Sequence, residues 1–110
     1  MADVQIEIPV SDVKRLLDEQ AIVLIDCREQ DEWETAKIDG AVLMPMSRWM
    51  DEAGKLSEYA GRRLVVHCHH GGRSLRVTRW LRENGFPEAQ NMTGGIDAWS
   101  SEIDPGVPQY

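Results

Sequence analysis

The stretch "VVHCHHGGRS", residues 65–74, ends an apolar run with a cysteine and follows it with two histidines, two glycines, an arginine and a serine. Cysteine chemistry belongs to the thiolate, so the question is whether the residues around Cys68 would stabilise negative sulfur. Three features favour it. The loop leads into a segment of helical spacing, and the first turn of a helix carries unpaired amides and a partial positive charge facing the loop. Gly71 and Gly72 let consecutive amides turn inward toward an anion without interference from side chains. Arg73 adds a fixed charge and a planar fork suited to an oxyanion such as sulfite or phosphate. An isolated cysteine after an apolar run reads first as inert packing. The Gly-Gly-Arg-Ser continuation instead fits a nucleophile presented at a strand end.

The charge distribution singles out the same place. The chain carries a formal net charge of −7, which argues against nucleic-acid binding because a polyanion would be repelled by most of the surface. Between Arg62 and Arg82 there are nevertheless six arginines and three histidines without one acid. Arg76, Arg79 and Arg82 recur at helical spacing and fit a solvated helix face, whereas Arg73 lies too close to the loop for that account to suffice.

The elements that must position this loop follow from apolar periodicity. "QIEIP" reads as a first strand, Ser11 as the cap of a helix over "DVKRLLDEQ", and "AIVLID" as a strand buried on both faces. A charged helix over "EQDEWETAK", a strand in "GAVLMP", and a short helix near Ser47 with a turn at Gly54 come next. "RLVVHC" is the most apolar strand, and "SLRVTRWLREN" is a helix stopped by Gly85, with Phe86 placed for the hydrophobic contact that follows a glycine cap. A weaker strand in "EAQNM", a short helix in "GGIDAWSSE" and an extended tail complete the series. Strands alternating with helices imply an α/β fold: a five-stranded, mostly parallel central sheet with helices on both faces, as one domain over residues 1–110. Ligands in such folds sit beyond the carboxyl ends of the strands, where Asp26, Cys27 and Cys68 fall.

"CHHGGRS" resembles the active-site loop of rhodanese-type sulfurtransferases, in which a cysteine stands shortly before an arginine and a helix. "LIDCREQDEWETAKIDGAVLMP" is similar to that family's upstream segment, through Asp26, Arg28, Glu32, Trp33, Gly40, Ala41 and Pro45, and "NMTGGIDAWS" to its downstream segment, through Gly94, Gly95 and Trp99. The resemblance runs from about Val4 to Tyr110 and points to the single-domain rhodanese (thiosulfate sulfurtransferase) family. Two departures stand out. Ala36, Lys37 and Ile38 replace the family's Gly-His-Ile, so a buried histidine hydrogen bond is expected to be missing, and Cys27 replaces an aliphatic residue. Cys27 reads first as filler of that apolar slot, with a resolving thiol as the alternative.

The resemblance implies a rhodanese-like fold and sulfur transfer through a persulfide on Cys68, from thiosulfate or a persulfide donor to a thiol, cyanide or a protein acceptor. It assigns donor binding to the amides of His69, His70, Gly71, Gly72 and Ser74 and to the side chain of Arg73. Ser74 is expected to cap the following helix, and His69 and His70 to face solvent. Asp26 and Arg28 are expected to pair and hold loops together, with a place for Arg28 at the substrate mouth as the lesser option. Trp33, Trp80 and Trp99 are assigned to packing, and Trp49 has no placement.

No cofactor is expected. A metal site built from His67, Cys68, His69 and His70 is not, because successive strand residues point to opposite faces. Two other functions stand beside sulfur transfer. A cysteine phosphatase or arsenate reductase would place five residues between cysteine and arginine, against the four here. A non-catalytic binding module would be expected to have lost the loop cysteine. The absence of a basic flank and apolar run at the amino terminus, with only two cysteines, leads to a cytoplasmic, membrane-free expectation. A monomer is expected, with the face carrying Arg76, Arg79 and Arg82 as the place for a protein acceptor.

Overall fold

The alternation of apolar strands and amphipathic helices resolves into a layered α/β structure. The computed structural model describes residues 4–110; the first residues of the expected 1–110 domain lie outside it. Strands β1 (Glu7–Ile8), β2 (Val23–Asp26), β3 (Val42–Leu43), β4 (Leu64–His67) and β5 (Gln90–Met92) form one sheet in the order β1-β5-β4-β2-β3. Every pairing is parallel, so the expected mostly parallel sheet is wholly so. The helices are α1 (Val10–Asp18), α2 (Gln30–Thr35), α3 (Trp49–Glu52), α4 (Gly72–Glu83) and α5 (Gly95–Glu102). Segments of 3₁₀ helix, Met46–Arg48 and Ala53–Tyr59, flank α3, and Gly54 lies within the second. Among the described residues no helix is long and apolar enough to cross a membrane.

β2 and β4 are buried on both faces, and the two-residue period of a strand divides their side chains between two cores. Leu24 and Val65 join Val13 and Leu16 of α1 and Ile96 and Trp99 of α5. Val23, Ile25, Leu64 and Val66 join Val77 and Leu81 of α4 and Trp49 of α3. Trp49 meets Trp80 edge to face, with ring centroids 5.9 Å apart, while Trp99 packs in the first core. Trp33 is the exception to the packing assignment: it is half-buried beneath the Lys37 ammonium, 5.2 Å from its ring centroid.

The cap of α1 differs from expectation. α1 begins at Val10 with Pro9 as its cap, the carbonyl of Pro9 accepting from the amides of Asp12 and Val13, so Ser11 is an exposed residue inside the helix. Burial of Val10 in the first core extends the helix back past the serine. The end of α4 follows the sequence, with Gly85 at φ +101° and the Phe86 amide bonded to the Leu81 carbonyl at 3.0 Å.

The β4–α4 loop is held from behind by α5. The amides of Ile96 and Asp97 donate to the carbonyls of Cys68 and His69, at 2.9 and 3.2 Å. This close approach requires the glycine that opens the helix: Gly95 has φ +63°, and a Cβ there would run into the carbonyls of Cys68 and His69. Gly95→Ala is therefore expected to destabilise the protein by about 1–3 kcal/mol in urea unfolding. Gly54→Ala, where nothing lies within 4 Å and φ is not positive, should leave stability unchanged or slightly raised.

Candidate active site

Cys68 follows β4 directly and is 2% exposed, with its sulfur at the start of α4. Gly71, at φ +113°, caps α4 and turns its amide onto Cys68 Sγ at 3.1 Å. The Ser74 amide donates to the same sulfur at 3.4 Å and the Ser74 hydroxyl at 3.3 Å. Ser74 is thus not the helix cap: α4 begins two residues earlier because the paired glycines close the loop, and the serine hydroxyl faces the sulfur. Its one proton is shared with Asn91 Oδ1, and Asn91 Nδ2 bonds in turn to the Gly71 carbonyl at 3.2 Å.

These donors lower the Cys68 pKa to about 4: the Cys27 thiol contributes most, burial opposes, and the hydroxyl and amide of Ser74 and the amide of Gly71 add to the fall. The same closeness, with burial, pushes the Cys27 thiol up, so of the two sulfurs Cys68 holds the negative charge.

The other sequence-derived residues form a network beside this loop. Asp26 and Arg28 pair as expected, at 2.7 Å with both side chains wholly buried, which leaves Arg28 no place at a substrate mouth. Arg28 also donates to the carbonyl of Ala36 at 2.6 Å, the carbonyl of Glu32 at 3.3 Å and the hydroxyl of Tyr110 at 2.8 Å. Arg73 places both terminal nitrogens on Glu32, at 2.7 and 2.9 Å, so its fork is taken up by a carboxylate instead of standing free for an incoming anion. Glu32 also accepts from the Tyr110 hydroxyl and from the Glu29 amide, completing a capping box for α2.

Of the loop histidines, His70 is exposed, but His69 is not the solvent-facing residue expected. Its ring lies stacked between His70, at 3.9 Å, and Tyr110, at 4.0 Å. His67 is wholly buried 3.7 Å from Asp26, and burial holds it below its ordinary pKa and neutral. Arg82 leaves the expected basic face: it donates to the carbonyls of Ala89 and Val4, while Arg76 and Arg79 stay exposed. His69 and His70 of the loop and Asp97 of α5 bring ligand atoms within 4.8 Å of one another. A cavity of about 890 Å³ lies between α1, α2 and the tail, and no cysteine or histidine lines it.

Asn91, Gly95 and Tyr110 also belong to the site, without a role that their local sequence announces. Gly95 sat within a recognised motif, and Asn91 was a polar residue in a strand that had to be buried, but the terminal tyrosine carried no signal. Residues 9–102 match the family described as Rhodanese-like domain. The chain is 37% identical over 89 residues to the Rhodanese-like/PpiC domain-containing protein 12, chloroplastic, of Arabidopsis thaliana, an alignment covering 79% of this chain and 30% of that protein. It is 34% identical over 89 residues to the probable adenylyltransferase/sulfurtransferase MoeZ of Mycobacterium tuberculosis, covering 81% and 23%. The chain thus spans less than a third of the length of these curated relatives. The solved structure of a rhodanese-like domain protein from Staphylococcus aureus superposes with a TM-score of 0.77 at 28% identity, over 96% of this chain and 99% of that one.

Two outcomes follow from the electrostatics. Ser74→Ala removes a donor to a charged acceptor, a loss of about 1.5 kcal/mol, which should raise the Cys68 pKa by about one unit in a titration of thiolate ultraviolet absorbance, read as wild type minus Cys68→Ser. The Glu32 carboxyl is held at about 2, chiefly by its hydrogen bonds from Arg73, with burial opposing. Its folded pKa lies below the unfolded value of about 4.3, so its contribution to stability is complete above that pH and lost as pH falls toward about 2. Urea midpoints measured across that window should fall less steeply in Glu32→Gln than in wild type.

Proposed function

The chain belongs to the rhodanese-like domain family, and on that premise we propose that it is a sulfurtransferase acting through a persulfide on Cys68. The observation that carries this reading is the sulfur itself, nearly buried, with two amides and a hydroxyl from the start of α4 directed at it. A relative whose name includes sulfurtransferase activity supports the reaction class.

In the proposed reaction the Cys68 thiolate attacks the outer sulfur of thiosulfate. The bond between the two donor sulfurs breaks, and sulfite leaves with its electron pair. Because sulfite is a weak base, the leaving group needs no strong acid, in keeping with the absence of one among the groups on Cys68. The donors that held the thiolate then hold the terminal sulfur of the persulfide until a thiophile removes it. A glutathione persulfide or a protein persulfide would present the same sulfane sulfur.

Arg73 serves this reading as a positioning residue. Its pair with Glu32 ties the first turn of α4 to α2 and so fixes the direction of the loop amides. Arg76 and Arg79, exposed along α4, are the proposed contacts for an acidic protein acceptor. A monomer working in the cytoplasm without a cofactor completes the proposal.

The test is the intact mass of the unreduced protein after thiosulfate treatment, in wild type and in Cys68→Ser. A Cys68-dependent sulfur adduct, with sulfur transfer to cyanide lost in Cys68→Ser by at least a hundredfold, is the expected result. Turnover that survives in Cys68→Ser would remove the assignment and leave the non-catalytic module.

A further inference from the structure

Cys27 and Cys68 stand in matching positions, each one residue beyond the end of neighbouring strands β2 and β4. Asp26 of β2 is in register with His67 of β4, and the Cys27 amide donates to the His67 carbonyl at 3.1 Å, so the next residue on each strand faces the other. Side-chain alternation sends Asp26 and His67 to one face of the sheet and both cysteines to the other, where they share the core beside α4. Register neighbours on adjacent strands lie about 4.8 Å apart, inside the Cα range of roughly 4.4–6.8 Å that a disulfide accepts. Both cysteines are free thiols with almost no exposure, at 0% and 2%.

We propose that Cys27 is a resolving thiol that releases sulfane sulfur from Cys68 as sulfide. This rests on the persulfide reading above. Cys27 Sγ attacks Cys68 Sγ, the bond from Cys68 Sγ to the outer sulfur breaks, and the outer sulfur leaves as hydrosulfide with the electron pair of that bond and the proton of Cys27. The sulfane sulfur is reduced and the two thiols are oxidised to a Cys27–Cys68 disulfide, so no outside oxidant is involved. An external dithiol then restores both thiols by exchange.

The arrangement also explains why Cys27 does not interfere earlier. While Cys68 is a thiolate, its charge and the buried setting keep the proton on Cys27. Once the sulfane sulfur is bound, the negative charge moves out to the terminal sulfur, and Cys68 Sγ becomes an electrophile next to the only other sulfhydryl of the chain. An aliphatic residue at position 27 would fill the same space but could not carry out this step. The protein would thus have two outcomes for one intermediate: transfer when a thiophile arrives first, sulfide release when none does.

The experiment treats the whole chain with thiosulfate, and separately with glutathione persulfide, then removes excess donor and follows intact mass and bimane-trapped sulfide without reductant. Expected for wild type are an initial gain of one sulfur atom, its loss with one equivalent of sulfide per chain, and a Cys27–Cys68 crosslinked peptide on non-reducing digestion. Cys27→Ser and Cys27→Ala, which remove the largest contributor to the Cys68 thiolate and so should load more slowly, are exposed to donor until they too have gained one sulfur atom. That sulfur should then persist, with sulfide release lost. Wild type that keeps its added sulfur as long as both variants, without crosslink or sulfide, overturns the resolving role and leaves the persulfide reading intact. Failure of wild type and both variants to take up sulfur from either donor overturns both.

Discussion

A wholly buried guanidinium has to have its donors met, because an unpaired charge removed from water is among the costliest features a fold can contain. Arg28 is that group, and much of the site hangs from it. Its acceptors come from the end of β2, from Glu32 of α2 with Ala36 just after that helix, and from Tyr110, so satisfying one side chain brings three separated parts of the chain together. Taking away one partner of such a pair usually costs about 3–5 kcal/mol. The pair therefore acts mainly as a constraint: alternative placements of α2 and the tail would strand a cation.

From Arg28 the constraint passes to the reactive loop. Tyr110 bridges Arg28 to Glu32, Glu32 grips Arg73, and Arg73 belongs to the first turn of α4. The loop is also bound from its other side, where the first turn of α5 donates to the carbonyls of Cys68 and His69. Two helix N-termini thus meet at one loop with different tasks. The amides of α5 occupy the loop's carbonyls, and the loop's remaining amides and those of α4 are left to turn toward the sulfur. A protein of net charge −7 thus keeps negative sulfur in a nearly dry setting through local donors, the Cys27 thiol, the Ser74 hydroxyl and the amides of Ser74 and Gly71, independent of the overall surface.

The same frame sets the relation of the two cysteines. The register of β2 against β4 places Asp26 beside His67 on one face, where burial keeps the histidine neutral. One residue further on, the same register places thiol beside thiolate on the other face. A slip by one residue would exchange these pairs and leave a carboxylate against Cys68. Sulfur chemistry and sheet register are in this sense one design feature.

Much of the architecture and the place of the candidate site cysteine were legible in the sequence, because they depend on local order. Residue periods of two and of three to four separate strand from helix, a cysteine at a strand end followed by two glycines announces a turn of amides, and a glycine after α4 marks its end. Where local signals competed with burial they misled. Ser11 and Ser74 both have the chemistry of a cap, yet burial of Val10 and closure by Gly71 moved the helix starts away from them. The partners lay beyond local pattern altogether. Arg73 finds Glu32 across 41 residues, and Arg28 finds Tyr110 across 82. Cys27 finds Cys68 only through the pairing of β2 with β4. The sequence by itself determined which groups could do chemistry and on which elements they ride. The tertiary structure alone decided which groups face each other, because that depends on strand order, register and the demand of buried charges for partners, none of which any short stretch of residues expresses.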